Sequence, residues 1–410
     1  MIPQIYKLKN NIRLVYQPAV NSRVSHLALM VHAGTRNEKP GKEGLAHFIE
    51  HVFFKGTEKR KSFHILNRLD SVGGELNAFT SKEETCLYAS VMNQHTERAC
   101  ELLSDIFFNS VFPEKELEKE KKVIIDEIRT YEDTPSEQIL DDFEGQVFSR
   151  HGLGNPVLGT IESVNSIGRS DIFEFIQSNY AEGKIVLSVV SDLSFVEIKK
   201  LAERYFSINR KAAHKQHKSN FKNYRQADKT IIKPISQCHA VVGNIAYSYR
   251  HPMRFTFALL NNILGGPGMN SRLNLNIREK YGFTYQVESN YTPYSDTGIF
   301  YIYFATDRRN VDRTVTLVHR ELARLKDNRI NEIQLKHYKE QLIGQLAMSY
   351  ENKAGLALSA AKNLLCFDKI DTPEQVNKYI ETVTSRQLRE AANEIFETGS
   401  LSSLFFHPAA

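Results

Sequence analysis

Apolar and polar residues alternate with a period of two along residues 11–16 and again along 24–31, the pattern of half-buried strands. Ala33-Gly34-Thr35 breaks the second strand, and a loop with Pro40 and Gly41 follows. The stretch 44–54 abandons alternation. Its Ala46, Phe48, Ile49, Val52 and Phe53 would bury most faces of a helix. Gly56 and Thr57 close that region, Ser62 stands as a cap for a helix through about 72, and Gly73-Gly74 stops it. Residues 76–80 and 85–92 read as a hairpin, 96–108 as an amphipathic helix, and Pro113 opens a long helix. A helix over 171–180, a buried strand over 185–190 and a helix over 195–206 come next. Helices and strands mix without a strict βαβ rhythm, so an α+β architecture is expected over a doubly wound sheet.

Three polar side chains interrupt the apolar stretch at 44–54. His47 and His51 are four apart and share one helix face. Neutral imidazoles in that relation can ligate one Zn²⁺, and Glu50 lies beside them, near enough to hold a water on the metal. The same five residues also fit a buried helix with two satisfied histidines. A site with an open position for water needs a third protein ligand. The best candidate lies in the long helix, where Val123, Ile124 and Ile128 are expected inward. Glu127 borders that stripe, and a carboxylate drawn toward a core needs a partner cation. Glu120, two turns earlier on the same face, is placed to support a ligand from behind.

His47-Phe48-Ile49-Glu50-His51 is the inverted His-x-x-Glu-His signature of the inverzincins. With it the chain resembles the pitrilysin, insulin-degrading enzyme and mitochondrial processing peptidase family of zinc metallopeptidases. The family's third ligand is a Glu 76 positions after the second His, and 127 − 51 = 76 falls on Glu127. Its further acidic residue, seven earlier, matches Glu120. Gly73-Gly74-Glu75-Leu76-Asn77-Ala78 matches the family's Gly-Gly-x-x-Asn-Ala, and Asp133-Thr134-Pro135 its Asp-x-Pro. The resemblance runs over nearly the whole chain.

Composition changes this picture little. The 410 residues, 41% hydrophobic and 25% charged, give room for two or more domains. A net charge of +5 does not demand a nucleic-acid or membrane partner. Cys86, Cys100, Cys238 and Cys366 show no short paired spacing, so neither a thiolate metal site nor a disulfide framework is expected. Residues 1–8 lack the apolar run of a signal peptide, and no stretch reaches the ~20 apolar residues of a membrane span. A reducing cytoplasm is the expected location.

Residues 209–229 are basic. Arg210, Lys211, Lys215, Lys218, Lys222, Arg225 and Lys229 are opposed only by Asp228. They read as a solvated interdomain linker rather than a nucleic-acid site. Beyond it the first half recurs. Residues 238–247 match the second strand, and 255–264 form a helix that ends at Gly265-Gly266. Residues 330–346 align without gaps on 112–128 at an offset of 218, placing Gln345 opposite Glu127 and Tyr338 opposite Glu120. The expected organisation is therefore two homologous α/β-layered domains, each an antiparallel-rich sheet packed with helices. Residues 1–208 carry the metal ligands, and 230–410 carry none.

The resemblance implies one Zn²⁺ per chain held by His47, His51 and Glu127, with Glu120 behind them. It implies that Glu50 moves the proton as water attacks a peptide carbonyl. It further implies that Arg278 and Tyr285, seven apart in the second half, stabilise the intermediate, and that substrate adds as a strand beside Asn77, Ala78 and Phe79. Backbone pairing of that kind favours short or unfolded peptides. Family members with four such domains enclose a chamber. A two-domain chain is therefore expected to form a two-fold homodimer in which Arg278 and Tyr285 serve the partner's zinc. The alternative is a non-catalytic structural subunit of the same family.

Overall fold

The computed structural model describes residues 3–208 and 220–409. In chain order the strands are β1 (Gln4–Lys7), β2 (Arg13–Pro18), β3 (Val24–Val31), β4 (Glu75–Thr80), β5 (Thr85–Met92), β6 (Ile185–Ser191), β7 (Asp228–Lys233), β8 (Cys238–Ala246), β9 (Thr284–Pro293), β10 (Gly298–Thr306) and β11 (Ser402–Pro408). The helices are α1 (Leu45–Val52), α2 (Ser62–Asp70), α3 (Thr96–Asn109), α4 (Glu114–Glu132), α5 (Pro135–Val147), α6 (Ile161–Ser166), α7 (Arg169–Asn179), α8 (Phe195–Phe206), α9 (Arg254–Gly265), α10 (Val311–Asp327), α11 (Glu332–Tyr350), α12 (Lys353–Phe367), α13 (Pro373–Glu381) and α14 (Ser385–Ile395). Ser62 is the first residue of α2 and caps nothing. Lys61 takes the cap position, and no side chain bonds there. Of the basic stretch, 209–219 lie outside the described residues, and β7 begins at Asp228.

Two mixed sheets carry the fold. The first runs β1-β2-β6-β3-β5-β4 and the second β7-β11-β8-β10-β9. Each contains one parallel pair, β2 with β6 and β7 with β11. Three antiparallel pairings follow in each, ending at β4 in one and β9 in the other. The repeat heard faintly in the sequence is thus a repeat of topology.

The chain forms two compact units, and neither is one stretch. The first comprises Met1–Arg129, Asn155–Lys218 and Met348–Thr372; the second takes Thr130–Gly154, Ser219–Ala347 and Pro373–Ala410. Late-coming α12 therefore belongs with the first sheet and early α5 with the second. The reason lies in strands buried on both faces. Along β3, Leu27, Leu29 and Val31 join the core that contains α1 and α3. Ala28 and Met30 point the other way, where Ala357, Ala360, Ala361, Leu364 and Leu365 of α12 cover them. That helical spacing of 3, 4, 7 and 8 makes one apolar stripe. In the second unit Ile139, Phe143 and Val147 of α5 likewise meet Val241, Ile299, Tyr301 and Phe406. All of β6 is buried, as a strand between two helical layers must be.

Candidate metal centre

The eight residues of α1 are too few to hold a helix by propensity alone. Packing holds it instead, because Ala46, Phe48, Ile49 and Val52 are fully buried. Its start is fixed by backbone. Gly44, at the cap, has φ 86°, and a Cβ there would lie 2.5 Å from the Leu158 carbonyl oxygen. A glycine offers no capping side chain, and a distant carboxylate supplies one. Glu38 accepts the Gly44 N–H through Oε2 (3.1 Å) and the Ala46 N–H through Oε1 (2.8 Å). Burial pushes the Glu38 carboxyl up to about 8, although those two hydrogen bonds pull the other way.

From this anchored helix His47 and His51 project one turn apart, with ring centroids 4.5 Å from each other. The facing surface is α4. Leu117, Glu120, Ile124 and Ile128 form its buried stripe, and Glu127 sits at the edge with its side chain 44% exposed. Val123, expected inward, is exposed. The buried positions step by three and four, and Val123 falls off that stripe.

Glu127 Oε2 lies 3.5 Å from His51 Nε2 and 3.9 Å from His47 Nε2. One donor atom from each of His47, His51 and Glu127 falls within 4.8 Å of the others. Burial, with His51 nearby, holds the His47 imidazole down to about 3, so its ring is neutral and its lone pair is free at neutral pH. His51 Nδ1 meets Glu120 Oε1 at 3.0 Å, and Lys55 Nζ meets Glu120 Oε2 at 2.7 Å. Burial opposes ionisation of Glu120, but the bonds from His51 and Lys55 outweigh it and hold the carboxyl below its ordinary value. Glu50 differs: burial raises its pKa although the nearby Thr80 hydroxyl works the other way, and its buried Oε2 has no partner among the described residues. Two neutral-capable imidazoles, one carboxylate and a partnerless buried carboxylate oxygen beside them form a donor set that fits a divalent zinc with one open position.

Beside the helix lies β4, an edge strand that among the described residues pairs only with β5. Asn77, Ala78 and Phe79 lie on it, and the Ala78 N–H is taken by Asn77 Oδ1 at 2.8 Å. Thr80 Oγ1 donates to the Ala46 carbonyl at 3.4 Å and so ties the edge strand to α1.

In the second unit α9 stands where α1 stands in the first. Asn262 of α9 donates to Gln345 of α11 at 2.7 Å. An amide pair thus takes the place of the histidine and carboxylate, beside a cleft of about 430 Å³ also lined by Asn261, Asn274 and Asn290. Arg278 lies in a π-helical turn, Asn274–Glu279, its guanidinium 3.7 Å from Glu279. Tyr285 is the second residue of β9 and is 88% exposed. Both side chains are free of strong partners among the described residues.

Two residues of the site escaped the sequence reading. Glu38 and Lys55 look like surface charges in a linear chain, and although Lys55 stands four residues past His51, an ammonium is no zinc ligand.

Residues 13–161 match the family described as insulinase (peptidase family M16), and 166–342 match the peptidase M16 inactive domain. The chain is 32% identical over 392 residues to the uncharacterized zinc protease YmxG of Bacillus subtilis, covering 95% of each protein. It is 33% identical to an uncharacterized zinc protease of Rickettsia bellii, covering 98% of this chain and 96% of that one. A crystal structure of a peptidase M16 inactive domain from Pseudomonas fluorescens shares the fold, with a TM-score of 0.92 at 19% identity over 100% and 98% of the two chains. With two consecutive domain matches and near full-length relatives above 30% identity, the chain belongs to the M16 family of zinc-protease homologues.

Proposed function

We propose that the protein is a zinc-dependent endopeptidase that hydrolyses bonds in short or unfolded peptides. The observation that carries this is the convergence of His47, His51 and Glu127 donors within 4.8 Å. Those three residues hold the metal, one per chain. When bound, Zn²⁺ supplies Lewis acidity: it polarises a carbonyl and lowers the pKa of a water toward ~7.

Everything else is done by side chains. Glu50, partly buried and with an unpartnered oxygen among the described residues, accepts a proton from the attacking water and returns it to the departing amine. Its raised pKa suits both halves of that exchange. Substrate backbone pairs with the free edge of β4 at Asn77, Ala78 and Phe79, which needs an extended chain and reads little sequence. Arg278 and Tyr285 stabilise the developing oxyanion, as the family resemblance implies, and a two-fold homodimer brings them to the partner's metal. The four cysteines are buried and joined in no disulfide among the described residues, which supports a reducing cytoplasm. No helix among the described residues is long and apolar enough to cross a membrane.

A peptide-library digest tests the activity. Wild type should cut, and both Glu50→Gln and a chelated sample should not. Cutting that survives both would refute the assignment. Subunit mixing tests the assembly: Glu50→Gln and Tyr285→Phe chains should each be nearly inactive, and co-assembly should restore part of the activity. A mixture that stays dead although both variants dimerise would exclude the shared site.

A further inference from the structure

We infer that Lys55 is a positioning residue of the metal centre: through Glu120 it fixes the tautomer and ring orientation of His51. The inference rests on the metallopeptidase reading only for its consequence, metal affinity.

The geometry starts from Phe53. Immediately after α1 the chain makes a 3-10 turn, Phe53–Lys55, and Phe53 is fully buried against Phe107 and Phe112. That anchor sets where the Lys55 stem begins. The ammonium reaches Glu120 Oε2 at 2.7 Å, and the Glu120 side chain is only 7% exposed. The other oxygen faces His51 Nδ1 at 3.0 Å. Each carboxylate oxygen therefore meets one partner, a cation on one side and a ring nitrogen on the other.

A carboxylate can only accept. Nδ1 of His51 must then carry the hydrogen, and the lone pair is left on Nε2, the atom that faces Glu127 at 3.5 Å. Without Lys55 the buried Glu120 carboxylate would lose its cation, an arrangement that costs free energy unless the group turns toward other donors or solvent. That turn would release His51. His47 shows the contrast, since its buried Nδ1 has no hydrogen-bond partner among the described residues. The ligand set thus has one imidazole oriented by hydrogen bonding and one oriented by packing. The oriented one depends on a lysine that is not itself one of the metal's ligands.

The test uses the full chain in two states. In the metal-free protein, long-range ¹H–¹⁵N correlation on histidine-labelled samples reads the His51 tautomer. In the loaded protein, chelator competition reads the zinc dissociation constant. Wild type should show a single Nδ1–H form of His51. Lys55→Met should show a tautomer mixture and bind zinc about tenfold or more weakly. Lys55→Arg, which keeps the charge, should restore most of both. Should Lys55→Met fail to fold, Lys55→Gln is read by the same two quantities.

The role is overturned if a folded Lys55→Met or Lys55→Gln chain keeps the Nδ1–H signature and binds zinc within twofold of wild type. The two claims fail separately. A wild-type chain that binds no zinc, but whose tautomer responds to Lys55, sinks the metallopeptidase reading and leaves the positioning role. Tight zinc with an indifferent tautomer sinks the positioning role alone.

Discussion

Glu38 makes the stability of the first unit depend on pH in an unusual direction. Its carboxyl is buried beneath the start of α1, and its pKa is raised from 4.5 to about 8. In the unfolded chain the group loses its proton near 4.5; in the folded chain it holds the proton until about 8. Between those values the native state binds more protons, so this contribution to stability falls as pH rises. Below 4.5 the effect is absent, and above 8 it is complete. The gap of about 3.5 pKa, at about 1.4 kcal/mol each, gives a loss of about 5 kcal/mol across the window. Glu38→Gln cannot ionise. The amide also gives up an acceptor at the helix start, so absolute stability will drop, and the informative quantity is the slope. Urea unfolding followed at intervals from pH 5 to 8.5 should show wild type losing several kcal/mol relative to Glu38→Gln. A difference that stays flat over that range would refute the argument, and one that favours wild type at high pH would reverse it.

Gly44→Ala places a Cβ at positive φ and 2.5 Å from the Leu158 carbonyl, so it should cost the first unit about 2–4 kcal/mol by thermal or urea unfolding. A loss below about 0.5 kcal/mol would show that the backbone there relaxes freely. Leu364→Ala in α12 should cost about 2–5 kcal/mol. Native-state hydrogen exchange should report the loss in β3 and β6, which α12 covers, despite their distance in sequence; loosening confined to the second unit would contradict the packing. Glu50→Gln should lower kcat about 10²–10⁴-fold while the zinc content stays at the wild-type value, measured by elemental analysis beside peptide cleavage. Retained activity would remove Glu50 as the proton carrier.

Much of the site was legible because it is written in short spacings. A turn of helix places residues four apart on one face, so His47 and His51 declare themselves from sequence alone. Glu127 was found through a family spacing, and the apolar stripe of α4 only bordered it. That stripe was read one residue wide of its true course, which is why Val123 was placed inward although it is exposed. Strands β3, β5 and β6 were found nearly to the residue, since two-fold alternation or a fully apolar run marks each. The edge strand β1 was not, because its four residues are mostly exposed. The exchange of α5 and α12 was invisible for a different reason. An amphipathic helix announces that it has an apolar face but not which sheet will cover it. Glu38 and Lys55 were missed for the same reason: the burial of the one and the ion pair of the other with Glu120 are created by tertiary packing and leave no trace in local pattern.

Zinc K-edge absorption on the metal-loaded chain, beside Glu127→Ala, tests the metal centre most directly. One zinc per chain is expected, with two imidazole nitrogens at about 2.0–2.1 Å and a carboxylate oxygen at about 2.0–2.2 Å that disappears in the variant. Sulfur in the coordination sphere, or a spectrum that Glu127→Ala leaves unchanged, would mean that the metal binds elsewhere.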